Sequence, residues 1–147
     1  MSDPGGVEAW PTVSPLRQRS FEVMSMTRDM DLVRKILVGV EARNDPFSFQ
    51  ELAIDGHEPA EVSGHLEMLA EAGYVEVTDL TTMGTSYRKL CPKRLTWAGH
   101  EFLDSVRNES VWTDVKKKIT SQGGALPLEI IKALAIGILK GHLGLPG

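Results

Sequence analysis

The chain has 147 residues, 20 acidic and 16 basic, for a formal net charge of −4, with 41% hydrophobic and 24% charged residues. These values fit one domain, exclude wholesale disorder and argue against a protein that coats nucleic acid by bulk charge. The single cysteine, Cys91, excludes an internal disulfide and a thiolate zinc cluster, and it points to a reducing, cytoplasmic setting.

Residues 1–26 hold Pro4, Gly5, Gly6, Pro11 and Pro15 without periodicity and read as a flexible leader; packing of Trp10, Leu16 and Phe21 onto the domain is the alternative. The start has neither a basic stretch nor an apolar run, so no secretory signal is read. No membrane span is expected, because the most apolar stretch, Leu126 to Leu145, is broken by Glu129, Lys132, Lys140 and His142.

A helix is predicted from Thr27, as N-cap, to Arg43. Its inward stripe is Met30, Val33, Ile36 or Leu37, and Val40, and Asn44-Asp45-Pro46 ends it. Phe47 to Leu52 alternates as a short strand would, while Gln50 to Ile54 also suits one or two helical turns. Pro59 opens the next helix, which runs to about Ala72 with Val62, Leu66 and Leu69 inward and Gly73 as its left-handed stop. A hairpin follows, with one strand at Tyr74 to Thr78, a loop around Gly84, and a second strand between Tyr87 and Leu95. Thr96 caps a helix from Trp97 to Arg107 that buries Trp97, Phe102, Leu103 and Val106. Another spans Ser110 to Ser121 on Trp112, Val115 and Ile119, closed by Gly123-Gly124. Pro127 opens a last helix to about His142. The expected divisions are the leader 1–26, a domain 27–107 and a helical extension 108–147.

The stretch Ser63-Gly-His-Leu-Glu-Met-Leu-Ala-Glu-Ala-Gly-Tyr-Val75 resembles the recognition helix and first wing strand of winged helix-turn-helix regulators of the arsenic-repressor type. Leu95-Thr-Trp-Ala-Gly99 is similar to the junction that leads from their wing into the next helix. Five segments together resemble an uncharacterised bacterial family, often carried by prophages: Arg28 to Leu37, His65-Leu66, Arg94 to Asp104, Trp112 to Lys118 and Gly123 to Glu129. The resemblance implies a mainly α winged helix-turn-helix with a small antiparallel β wing and added C-terminal helices. It implies a bacterial or mobile-element origin and supplies no activity.

Charge complicates the function that such a fold suggests. Asp55, Glu58, Glu61, Glu67, Glu71, Glu76 and Asp79 fall between Asp55 and Asp79, a segment with no lysine or arginine, on the helix that would face a polyanion. Arg88, Lys89, Lys93 and Arg94 follow in the wing with no acid between Leu80 and Leu95. These four are the candidate nucleic-acid contacts of a transcriptional regulator, able to track the phosphates of double-stranded DNA; a solvated edge strand is the plain alternative. Glu61, Glu67 and Glu71 are the candidate contacts of the second reading, an adaptor or inhibitor that meets a basic protein partner. Ile136, on a last helix apolar around much of its circumference, is the candidate for a homodimer or partner interface.

The remaining chemistry is sparse. His100-Glu101-x-x-Asp104 lacks the second histidine of a metalloprotease motif, and His100 reads as a structural residue near a helix start. His65 reads as a helix-packing residue and Cys91 as a half-buried strand cysteine. No nucleophile elbow, phosphate-binding glycine loop or paired-carboxylate site occurs, so no enzyme activity, metal or cofactor is expected.

Overall fold

The computed structural model describes residues 28–43 and 49–146. Among these residues the chain is mainly helical. The order is α1 (Met30–Glu41), α2 (Pro59–Glu71), β1 (Val75–Asp79), β2 (Leu90–Leu95), α3 (Trp97–Val106), α4 (Glu109–Ser121) and α5 (Leu128–His142). The strands form one two-stranded antiparallel sheet. None of these helices is long and apolar enough to cross a membrane.

Each helix starts where the sequence supplies an acceptor for its free N–H groups or a residue that needs none. In α1 the Asp29 carboxylate accepts from the Leu32 N–H at 3.2 Å. The expected cap, Thr27, lies outside the described residues, as do Asn44-Asp45-Pro46 and Phe47. In α3 the Thr96 hydroxyl accepts from the Gly99 N–H at 3.1 Å, and in α4 Asn108 accepts from the Val111 N–H at 3.1 Å. Pro59 opens α2, where its missing N–H costs nothing. The last turn of α2 closes through Gly73 at φ +84, with Gly73 N–H to Ala70 O at 3.0 Å and Tyr74 N–H to Leu69 O at 2.9 Å.

Leu32, Val33, Ile36, Leu37 and Val40 of α1 meet Val62, Leu66 and Leu69 of α2, Phe102, Leu103 and Val106 of α3, and Trp112, Val115 and Ile119 of α4 in one buried cluster. Ile131 and Ala135 of α5 belong to the same cluster, so residues from 108 onward share the core of the residues before them. Trp112 is buried yet satisfied, its indole N–H donating to Asp31 Oδ1 at 2.8 Å. Arg34 stacks 5.8 Å from the centre of the Trp112 ring and donates to the terminal α3 carbonyls of Val106 and Arg107, each at 2.8 Å.

Three expectations are corrected. Trp97 is 80% exposed. At 100° per residue it lies opposite Gly99, and Gly99 is the residue on which α3 docks: a Cβ there would stand 2.0 Å from Tyr74 O. The segment Gln50 to Ile54 forms neither helical turns nor a strand. Its carbonyls are taken by side chains instead, since Arg43 donates to Gln50 O and Glu51 O at 2.7 Å each and the Cys91 thiol donates to Gln50 O at 3.1 Å. Cys91 is fully buried rather than half-buried.

The hairpin register is Val75 with Leu95, Glu76 with Arg94, Val77 with Pro92, Thr78 with Cys91 and Asp79 with Leu90. The break between Glu76 and Val77 leaves Lys93 as the extra, bulged residue of β2. Pro92, which has no N–H to give, sits beside that bulge, where a strand tolerates it.

Candidate functional site

The motif that suggested base reading is used to assemble the fold. Ser63, buried in α2, donates its hydroxyl proton to Arg88 O at 2.6 Å and accepts from the Leu90 N–H at 2.8 Å, which fixes the start of β2 on the helix. His65 is buried as well; its Nε2 accepts from the Asp29 N–H at 2.9 Å and its Nδ1 donates to Glu61 O at 2.9 Å. Those two bonds require the neutral, Nδ1-protonated ring. At the next junction Thr96 donates from its backbone to Tyr74 O at 3.0 Å and from its hydroxyl to Gly73 O at 2.5 Å, joining the ends of β2 and α2.

The four wing cations do not make a free positive patch. Arg88 donates to Glu67 at 2.5 Å and to Asp79 at 3.1 Å. Arg94 holds both oxygens of Glu76, opposite it in the sheet, at 3.1 and 2.6 Å. The Lys89 ammonium lies 4.0 Å from Glu51. Lys93 is exposed, and among the described residues it alone of the four has no carboxylate in ion-pair range.

Glu67, Glu71, Asp79 and Arg88 line an open groove of about 330 Å³ between α2 and the hairpin, with Ala70, Val77 and Leu90 also lining it. Three carboxylates against one guanidinium leave the groove negative. Asp79 is held down to about 2 by the Thr81 hydroxyl and backbone N–H, with help from Arg88. The same carboxylates raise Arg88 above the ordinary guanidinium range. Tyr87 donates to Glu51 at 2.8 Å, a bond to the ionised carboxylate that raises the phenol above its usual value.

The remaining candidates are separated from this groove or lie at its far end. Glu61 stands near the start of α2, 2.9 Å from His57 Nδ1. Ile136 of α5 is only half-buried, while Ile131 and Ala135 take the inward positions and Ile130 is 48% exposed. His100 and Asp104 diverge in their partners: His100 lies 3.8 Å from Glu41, whereas Asp104 pairs with Arg107 at 2.8 Å. Arg107 in turn grips both oxygens of Glu41 at 2.8 Å, which lowers the Glu41 carboxyl below its ordinary value.

Sequence reading assigned no metal ligand, yet the fold brings Asp29, His57 and Glu61 together, one ligand atom from each lying within 4.8 Å of the others. The His57–Glu61 spacing of four residues was visible in the sequence. The approach of Asp29 was not, because it depends on the bond from its N–H to His65.

These features define a mainly helical protein with a hairpin packed against α2, whose groove charges lie on α2 and the strands it supports. Residues 27–125 match the family described as "Hypothetical protein (DUF2513)", and the chain belongs to that family. An "Uncharacterized protein" of Haemophilus influenzae is 35% identical over 116 residues, covering 78% of this chain and 97% of its own length. No solved structure matches the chain. The family match ends at residue 125, before α5 begins.

Proposed function

We propose that the chain is a non-catalytic binding module, built on a winged-helix framework of mobile-element origin, that takes a basic segment of a protein partner in the groove between α2 and the hairpin. The observation that carries this reading is the pairing of the wing. Arg88, Lys89 and Arg94 already face Glu67, Asp79, Glu51 and Glu76, so with Lys93 and Glu71 counted the face that would approach DNA holds four cations against five carboxylates. A polyanion approaching it would meet Glu71 as well as the paired carboxylates. A lysine- or arginine-bearing segment with apolar neighbours finds Glu71, which has no ion-pair partner among the described residues, with Val77 and Leu90 beside it.

Exposed ion pairs are worth about 0–1 kcal/mol, so a partner's guanidinium can replace Arg88 on Glu67 and Asp79 at little cost. Duplex DNA is the competing ligand, with Lys93 as its most available contact. Fluorescence anisotropy separates the two. A labelled arginine- and leucine-rich peptide is expected to bind saturably and to lose at least about tenfold in affinity with Glu67→Lys plus Glu71→Lys. A labelled duplex from the encoding locus is expected to bind no better than it does to an unrelated acidic protein. Tight duplex binding that weakens steeply with salt and with Lys93→Glu would establish the DNA reading instead.

A homodimer through the outer side of α5 remains a separate proposal, resting on the exposure of Ile130 and the half-burial of Ile136. Sedimentation at tens of micromolar tests it, with a strict monomer as the contrary result.

A further inference from the structure

We infer that Asp29, His57 and Glu61 form a binding site for a first-row divalent metal ion that joins the start of α1 to the start of α2. The site lies at the opposite end of α2 from the groove and does not depend on how the groove is used. Its donor set, one imidazole and two carboxylates, is the kind that first-row divalent cations take, with coordination positions left over for water.

Three observations converge on it. The ligand atoms already lie within 4.8 Å of one another, and His57 Nδ1 is 2.9 Å from Glu61 Oε1, so closing all three onto an ion with bonds of about 2.0–2.2 Å asks only for side-chain adjustment. The backbone beneath them is fixed. Buried His65 bonds the Asp29 N–H through one ring nitrogen and Glu61 O through the other, so a single imidazole holds the two carboxylate-bearing residues together. A turn closed by His57 N–H to Ile54 O at 3.2 Å, with Gly56 at φ +83, brings His57 back over the helix start.

Charge is the third. Asp29 and Glu61 are half-buried carboxylates with no lysine or arginine in ion-pair range among the described residues, and Asp55 and Glu58 flank His57. Two carboxylates brought this close repel each other, and a divalent cation relieves that repulsion. On binding, the ion takes the lone pair of His57 Nδ1, the neutral ring carries its one proton on Nε2, and a proton displaced from Nδ1 moves there or leaves to water.

Zinc is the probe. Calorimetric titration of zinc chloride into the full chain near neutral pH is expected to show one equivalent bound, reversed by a chelator, with a rise in melting temperature that grows with free zinc. His57→Ala, Glu61→Gln and Asp29→Ser should each weaken binding by at least about tenfold. Serine retains the cap of α1, and glutamine retains an acceptor for His57, so both variants should fold. His100→Ala should bind as the wild type does. In the wild type, manganese should broaden the amide signals of residues 29, 57 and 61 before those of any other segment. The inference is overturned by an absence of saturable zinc binding, by unchanged binding in His57→Ala combined with Glu61→Gln, or by manganese broadening centred elsewhere.

Discussion

The two ends of α2 carry the same kind of charge under opposite conditions. At the hairpin end, Glu67 and Asp79 share Arg88, and Glu76 on the neighbouring strand has Arg94. At the other end, Asp29 and Glu61 lie near His57 and, among the described residues, have no lysine or arginine in ion-pair range. Positive charge in the wing, Lys93 apart, is thus matched inside the molecule, and among the described residues none of it pairs with Asp29 or Glu61. A balance of −4 over the whole chain hides this arrangement. In the proposed reading, one end is a groove for a basic partner and the other a set of donors for a divalent cation.

The contrast depends on the hairpin being held against α2, and the largest expected effect comes from loosening it. Gly99→Ala would put a methyl group 2.0 Å from Tyr74 O, where backbone must move, and should cost about 3 kcal/mol in urea unfolding. A loss under about 0.5 kcal/mol would show that α3 does not dock as described. Ser63→Ala strips the buried Leu90 N–H of its acceptor and should cost about 1–3 kcal/mol by the same measurement.

Arg88→Ala sharpens the contrast through binding. Removing the internal competitor should raise affinity for the basic peptide, by up to about fivefold given the small worth of an exposed pair. A drop in affinity would mean that Arg88 itself contacts the ligand.

Acid titration tests the paired end differently. Asp79 has a folded value of about 2, below its ordinary 3.8. Its contribution to stability is therefore present above about pH 4 and is lost as pH falls toward 2. The stability difference between wild type and Asp79→Asn should shrink across that window in urea melts taken at successive pH values. A difference that stays constant would detach Asp79 from the hairpin's stability. The smallest effect is expected from Arg94→Ala, whose pair with Glu76 is exposed and worth about 0.5 kcal/mol.

Much of the fold was legible because local chemistry and burial agreed. The 3.6-residue stripe through Val33, Ile36, Leu37 and Val40, the cap at Thr96 and the stop at Gly73 all have causes within a few residues. Trp97 was misread because an aromatic residue at a helix start looks like an anchor, whereas the docking face is set by Gly99, where the absence of a side chain matters. The segment Gln50 to Ile54 was ambiguous because its partners, Arg43 and Cys91, are supplied from other elements. The charges of the candidate groove could be counted from the sequence, but not their pairing: Arg88 reaches Glu67 across 21 residues only because Ser63 fixes where β2 begins. Ser63, part of the stretch that resembles a recognition helix, serves as an internal fastener, and His65 packs between helices as its position suggests.

The most direct test of the central claim is an amide NMR titration of the labelled full chain with the basic peptide and, separately, with duplex DNA, at about 150 mM salt. The account predicts that the peptide shifts the amides of residues 67–71, 77–79 and 88–90 while the duplex leaves them in place. Shifts along residues 88–94 produced by the duplex, with none from the peptide, would contradict it.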